Sequence, residues 1–362
     1  MRRWILLCLL LMGWAAACAP GFDPVSKVNT LRILAVTIDK PYAQPGDEIT
    51  FSMTVHDGYG EGGDGAVPRS LEVLWLGGCF NPVGDQYFLC LEQIAQLVAP
   101  LGGGTPPPGG FPVDLIKQEV VPGSRSGDIG TSEFTLTLPD DIITSRPVPQ
   151  AGPHYGIAYV FFAACAGNLV AVPLESPGGG QVPDFPLRCV DPDGNVLGSE
   201  SFSIGYTQVY AFADMRDNTN PPIDGLSLDG AAIDAAGELP VVPACPVSAE
   251  DRRTASCGSG EPTEDCQKIR VGAMVRDSAE LDPGATDIDG NPAREIIWVT
   301  YFSDGGDVSP SLTLVSDATK GYQPDFSTEW IPPADPGIYS LWAVARDQRG
   351  GSSIIRRFVR VQ

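Results

Sequence analysis

Two short stretches space carboxylates as a divalent cation would need them: Asp191-Pro192-Asp193-Gly194-Asn195 and Asp287-Ile288-Asp289-Gly290-Asn291. Acidic side chains at alternate positions beside a glycine gather hard oxygen ligands, which is the chemistry of a Ca2+ loop. The helix-loop-helix Ca2+ spacing, however, puts glycine sixth and glutamate twelfth, and counted from Asp287 those places hold Pro292 and Trp298. The same residues close tight turns, since Asp, Asn and Gly supply positive φ and side-chain hydrogen bonds to the backbone, and the turn is the reading that the spacing favours. Asp277, Glu280, Asp282, Asp287 and Asp289 are the denser cluster and the candidate metal ligands. Five carboxylates in one loop repel unless a cation or water intervenes, although acidic loops are more often simply solvated.

Catalytic patterns are scarce. The chain carries no Gly-x-Ser-x-Gly elbow, no His-Glu-x-x-His and no phosphate-loop lysine. Its two histidines, His56 and His154, fall at strand ends, and although Asp57 adjoins His56 no serine nucleophile is placed beside them. With 45 acidic residues any two could meet as a glycosidase pair, so the spacing singles out none. The expectation is a protein that is not an enzyme and has no cofactor, Ca2+ being the one exception considered.

Residues 1–18, MRRWILLCLLLMGWAAAC, carry a different chemistry. Arg2 and Arg3 precede an apolar run from Trp4 to Trp14, too short to span a bilayer, which takes about 20 residues, and of the length of a signal-peptide core. Ala15, Ala16 and Ala17 offer small side chains to a peptidase, and Cys18 follows at once. This tail resembles the lipobox of bacterial lipoproteins, with Ala15 where leucine is common. The resemblance implies cleavage after Ala17, acylation of Cys18 and, because Ala19 rather than Asp follows, residence at the outer membrane of a Gram-negative envelope. Two or more acyl chains hold a protein stably where one does not.

The formal net charge of −22 repels phosphate backbones, which excludes nucleic acid as a partner, and anionic lipid, which leaves anchoring to the acyl chains. The mean hydropathy of +0.01 and 43% apolar content allow a packed core. Glycine (42) and proline (34) are frequent enough to favour short strands and many turns over long helices. Seven cysteines remain beyond Cys8 and Cys18: Cys79, Cys90, Cys165, Cys189, Cys245, Cys257 and Cys266. In an exported chain without Cys-x-x-Cys spacings they read as disulfides, with one left over.

Residues 18–30 read as a lipidated tether. Beyond it, Leu31–Ile38 and Asp47–Asp57 read as strands, the second placing Ile49, Phe51, Met53 and Val55 on one face, and Leu71–Leu76 follows. Leu91–Pro100 is the one convincing helix, inside an insertion over 80–130. Strand pattern returns at Glu133–Leu138, Tyr155–Ala164 and Ser201–Phe212. The alternating row Phe202, Tyr206, Tyr210 and Phe212 would be a binding platform if exposed; with Ile204 and Val209 it fits a sandwich core better. The second half replays the order over 265–277, 294–303, 326–333, 336–347 and 353–361, with Trp298 answering Trp75 and Tyr339 answering Tyr155.

A tryptophan on a central strand and a tyrosine opening the penultimate one resemble immunoglobulin-like domains, and PGIYSLWAVARDQRGG (336–351) resembles the ending of PKD-type repeats. The whole chain is similar to Gram-negative surface lipoproteins without an assigned activity. The fold expected is all-β: a signal peptide (1–17), the tether, and two tandem immunoglobulin-like antiparallel sandwiches over 31–215, bearing long insertions, and 216–362. In that frame Cys79 and Cys165 lie at opposite ends of the sandwich, which favours the local pairs Cys79–Cys90 and Cys165–Cys189 and one pair among Cys245, Cys257 and Cys266. The function expected is a non-catalytic structural or binding module, lipid-anchored in the envelope and facing another envelope protein or a glycan. The alternatives are a carbohydrate- or Ca2+-dependent adhesion module and, behind it, a hydrolase built on the insertion loops 80–130 and 173–186.

Overall fold

The computed structural model describes residues 25–58, 69–102, 113–122, 130–173, 184–248, 251, 265–286 and 290–362. The first sandwich sets a three-stranded sheet, β1 (Leu31–Ile38), β3 (Glu48–Asp57) and β6 (Gly130–Thr137), against a five-stranded one. The latter runs β2 (Tyr42–Ala43), β10 (Phe202–Phe212), β7 (Tyr155–Cys165), β4 (Leu71–Phe80), β5 (Ile116–Val121). A hairpin of β8 (Asn168–Ala171) and β9 (Leu187–Val190) stands beside them.

In the second sandwich one sheet runs β12 (Ala231–Ala232), β11 (Ile223–Leu228), β14 (Ile269–Val275), β21 (Thr328–Ile331), β18 (Asp307–Ser309). It faces β13 (Val241–Val242), β23 (Ser352–Val361), β22 (Gly337–Asp347), β17 (Ile297–Ser303), β19 (Leu312–Asp317), β20 (Gly321–Tyr322), with β15 (Leu281–Thr286) and β16 (Pro292–Arg294) as a side hairpin. The neighbour relations repeat: β1-β3-β6 answers β11-β14-β21, and β10-β7-β4-β5 answers β23-β22-β17-β19. In each copy a two-residue strand runs parallel to the last strand, β2 on β10 and β13 on β23. The fold is therefore all-β, two antiparallel sandwiches of immunoglobulin and fibronectin type.

Side-chain parity corrects two equivalences drawn from the repeat. Leu71, Val73 and Trp75 of β4 point into the first core, whereas on β17 it is Ile297, Val299 and Tyr301 that point into the second. Trp298 thus faces outward and does not answer Trp75; Trp330, fully buried, is a tryptophan of the second core. Tyr155 likewise belongs to the outer face of its sheet, while Tyr339 packs against the inner core and donates its hydroxyl to the Asp335 carbonyl (3.0 Å). A one-residue offset in an alignment of alternating strands exchanges the two faces.

β7 is buried along nearly its whole length, which requires cover on both sides. Ala158, Val160, Phe162 and Ala164 meet the facing sheet; Ile157, Tyr159, Phe161, Ala163 and Cys165 meet the insertions. The chief cover is helix α1 (Leu91–Val98), whose Leu91, Ile94, Leu97 and Val98 are buried. A bulge in β4 between Leu76 and Cys79 adds one residue and so moves Cys79 from the inner to the outer face, where it reaches Cys90 ahead of α1 (Cα–Cα 5.8 Å). Cys165–Cys189 (5.6 Å) fastens the β8–β9 hairpin to β7, and Cys245–Cys266 (4.8 Å) closes a loop in the second sandwich. Cys257 lies outside the described residues, as do Ala17 and Cys18.

The sandwiches share a built contact. Leu34, on the outer face of β1 by alternation from Leu31 and Ile33, packs on Trp342 with Val28 beside it, and the bulge there returns Val36 and Ile38 to the first core. The carbonyls of Leu34, Val36 and Ile38, at alternate positions on the open edge of β1, accept from Arg346 (2.9 Å), Ser352 (3.0 Å) and Asn220 (2.8 Å). Residues 25–30, expected as tether, are part of this contact: Ser26 and Val28 are buried, and they exchange backbone hydrogen bonds with Ser303 (2.9 and 2.8 Å).

Candidate functional site: an aromatic slot and a charged junction

The outer face of the five-stranded sheet is incompletely covered. Between α1 and the β8–β9 hairpin it leaves a slot of about 310 Å³ lined by Tyr87, Phe161, Asp184, Phe185, Ile204 and Tyr206 among others. Tyr206 is 43% and Ile204 45% exposed. Tyr87 stacks on Tyr206 (centroids 4.3 Å apart, planes 21°), Tyr206 tilts over Phe161 (5.8 Å), and Phe161 stacks on Phe185 (6.1 Å, 30°). The alternating row on β10 is therefore not sandwich core: Val209 and Ala211 point inward, whereas Phe202, Tyr206 and Tyr210 are on the outer face. A Cβ at Gly205 would sit 2.6 Å from the Phe162 ring, so glycine lets that ring lie against β10 beneath the slot.

Further along the face the row meets a polar network. Arg146 and Asp85 form an ion pair (2.7 Å), the Tyr155 hydroxyl donates to Asp85 Oδ2 (2.5 Å), and the Tyr159 hydroxyl donates to the Asp85 carbonyl (2.7 Å). The Arg146 guanidinium also lies over the Tyr155 ring at 4.2 Å. Burial works against the Asp85 charge, but the hydrogen bonds from Arg146 and Tyr155 prevail and hold its carboxyl below the ordinary value. Burial, then the Asp85 charge, pushes Tyr159 up to about 12, and burial does the same for Tyr210, so both hydroxyls stay protonated at neutral pH. The network fixes the insertion and supplies no base.

Of the expected metal ligands, Glu280 and Asp282 are engaged in hydrogen bonds. Glu280 accepts from Thr219 (2.9 Å) and Arg349 (3.2 Å), and Asp282 from Gln348 (3.1 Å) and the Gly284 N–H (2.8 Å). Asp277 is exposed, and Asp287 and Asp289 lie outside the described residues. Among the described residues no group of three or more His, Cys, Asp or Glu is placed to hold a metal. Asp191 closes a turn, accepting from the N–H groups of Asp193 (2.9 Å) and Asn195 (2.8 Å). His56 is buried against Trp342 (5.0 Å), and His154 Nε2 lies 3.0 Å from the Arg146 carbonyl.

The sequence reading missed a charged cluster where the sandwiches meet. Glu295 and Asp347 are buried, and Arg349, its side chain 4% exposed, stands 3.8 Å from Glu295 and over the Tyr42 ring of the first sandwich at 5.1 Å. Asn218 donates to Asp347 (3.2 Å), and Arg349 also donates to the Asp217 carbonyl, which ties the connecting segment to the cluster. Three carboxylates, those of Glu280, Glu295 and Asp347, surround one guanidinium. Burial foremost, then the Asp347 charge, raises Glu295 from its ordinary 4.5 to about 7. Asp347 is raised too, again by burial.

A folded-state value above the unfolded one means that the native protein keeps a proton which the unfolded chain releases. The associated stability is full below about pH 4.5 and lost as pH rises through 7, by about 3 kcal/mol at about 1.4 kcal/mol per pH unit. Urea midpoints of the wild type should accordingly fall between pH 5 and 8. Glu295→Gln should flatten that fall and exceed the wild type at pH 8; an unchanged slope would assign the titration to another group.

No family model matches the chain, and no curated protein is similar to it in sequence. Among solved structures it is similar to latent PorU of Porphyromonas gingivalis (10% identity, 93% of this chain and 24% of that one, TM-score 0.20). It is also similar to fibronectin(III)-like modules of CbhA from Clostridium thermocellum (14%, 90% and 93%, TM-score 0.20) and to the adhesin InvE of Yersinia pseudotuberculosis (10%, 92% and 60%, TM-score 0.19). Superpositions this loose carry no function to the chain, whose fold rests on its own sheet order.

Proposed function

We propose that this is a lipid-anchored cell-envelope protein, at the outer membrane, that works as a non-catalytic binding module. The reading divides the mature chain into sandwiches over 31–215 and 216–362, with Cys18 as the acylated first residue after cleavage behind Ala17. The observation that carries the binding role is the open aromatic slot on the outer face of the first sandwich, where Tyr206 and Ile204 stay solvent-accessible side by side. Large apolar side chains left exposed together mark an interaction site far more often than isolated ones do. Among the described residues no helix is long and apolar enough to cross a membrane. Attachment by acyl chains agrees with the sequence of residues 1–18.

Anchoring at Cys18 would also orient the molecule. Seven residue steps separate Cys18 from Val25, a span of about 25 Å at most when fully extended. Because Ser26 and Val28 dock on Ser303, that span would hold the seam between the sandwiches near the bilayer rather than one end of a rod. Radiolabelled palmitate should enter the wild-type protein and not Cys18→Ala, which should leave the membrane fraction. Equal labelling of both proteins, or none of either, would overturn the anchor.

A further inference from the structure

The aromatic slot has a chemistry narrower than general apolarity. Aromatic rings line it: Tyr206, Phe161 and Phe185 follow one another at 5.8 and 6.1 Å, and Tyr87 stacks on Tyr206 at 4.3 Å. Ring faces carry the negative end of the aromatic quadrupole and attract cations placed over them. Asp184 lines the same slot and adds a full negative charge. Elsewhere in the molecule the protein's own guanidinium groups lie over aromatic rings: Arg146 over Tyr155, Arg216 over Phe212, Arg349 over Tyr42 and Arg356 over Trp342. At the slot the acidic residue and the rings come together instead, on a chain of net charge −22 that draws cations toward its surface.

The kind of cation follows from the lining. A bare metal ion or a primary ammonium keeps a tight hydration shell and needs several oxygen ligands to replace it. The slot presents one carboxylate and mostly hydrocarbon, so its complement is a cation that is itself clad in hydrocarbon. We propose that the slot binds an alkylated ammonium group, of the kind carried by choline or by methylated lysine, with its methyl groups against the open parts of Tyr206, Tyr87 and Phe185 and Asp184 as the counter-charge. A volume of about 310 Å³ accommodates a trimethylammonium group and the start of its tether and leaves the rest of the ligand in solvent. This deepens the binding reading given above and rests on that face being the binding surface.

Calorimetric titration of the full protein in detergent, at constant ionic strength, tests the assignment. Choline chloride should bind saturably, and 3,3-dimethylbutan-1-ol, its uncharged isostere, at least tenfold more weakly. Asp184→Asn should weaken choline at least fivefold and Tyr206→Ala at least tenfold, both variants retaining the wild-type far-ultraviolet circular dichroism because neither side chain is part of the buried core. Two further arms separate the sources: a trimethyllysine tripeptide against its unmethylated form, and phosphatidylcholine against phosphatidylglycerol vesicles. Preference for the methylated peptide or for phosphatidylcholine would name the source. Equal binding of choline and its isostere, or unchanged affinity in Asp184→Asn, would overturn the assignment. Absence of choline binding in a protein whose Cys18 takes up palmitate would defeat the ligand class and leave the anchored module standing.

Discussion

Replacing Arg349 by methionine should cost about 3–5 kcal/mol of folding stability, the range for removing one partner of a buried ion pair. The methionine fills much of the volume of the arginine stem, so the loss is chiefly electrostatic. Glu280 (3.2 Å) and Glu295 (3.8 Å) would lose their only cation in this cluster among the described contacts, and the Asp217 carbonyl would lose a donor. Because Glu295 titrates near 7, the loss should be larger at pH 8 than at pH 5. Urea unfolding of Arg349→Met, Glu295→Gln and the double variant closes a cycle. The double variant should recover part of the loss, since the neutral amide no longer needs the guanidinium. Strict additivity would mean that the pair is not coupled and that the arginine acts through its contact with Tyr42 alone. The cluster lies between the sandwiches, so its weakening should also loosen their relative placement, which a smaller unfolding cooperativity would register.

Much of the fold was legible because strands announce themselves by period two. Asp47–Asp57 alternates as a half-buried strand should, and β3 covers it; the run from Tyr155 to Ala164 is unbroken, and β7 proves to be covered on both faces. The local disulfide pairs were legible too, because antiparallel central strands keep Cys79, opposite Tyr159, away from Cys165, opposite Glu72. What failed was parity. Trp298 and Trp75 occupy similar places in the sequence pattern, yet the face on which each lies depends on bulges and offsets that shift alternation by one. The bulge at Leu34 is of the same kind: nothing in LRILAVTI marks that Val36 and Ile38 change parity after it and return to the core. For the slot, the row of aromatics was readable from its spacing but its outer cover was not, and α1 and the β8–β9 hairpin decide which rings stay open. The junction cluster was illegible for a different reason. Glu295, Asp347 and Arg349 look like surface charges until they are buried between the sandwiches, and only the contact of Arg349 with the distant Tyr42 reveals their place.

Trp75→Ala offers the sharpest test of that parity argument. Trp75 is fully buried, stacked on Phe134 (5.8 Å, 11°), edge-on to Phe162 (5.6 Å) and tilted over Phe51 (6.4 Å). Its Nε1 donates to the Ser132 hydroxyl at 2.6 Å, and Ser132 in turn donates to Glu119. Truncation removes the ring from the centre of the core and leaves a cavity between two sheets, while the Ser132 hydroxyl keeps its hydrogen bond to Glu119. Large aromatic deletions of this kind cost about 3–5 kcal/mol. Trp298, partly exposed on the outside of β17, stacks into no core, so Trp298→Ala should lose less than half as much. Chemical denaturation of the two variants beside the wild type measures both. If the losses were equal, the two tryptophans would be structural equivalents after all, and the inward face of β17 would have to be the one that carries Trp298.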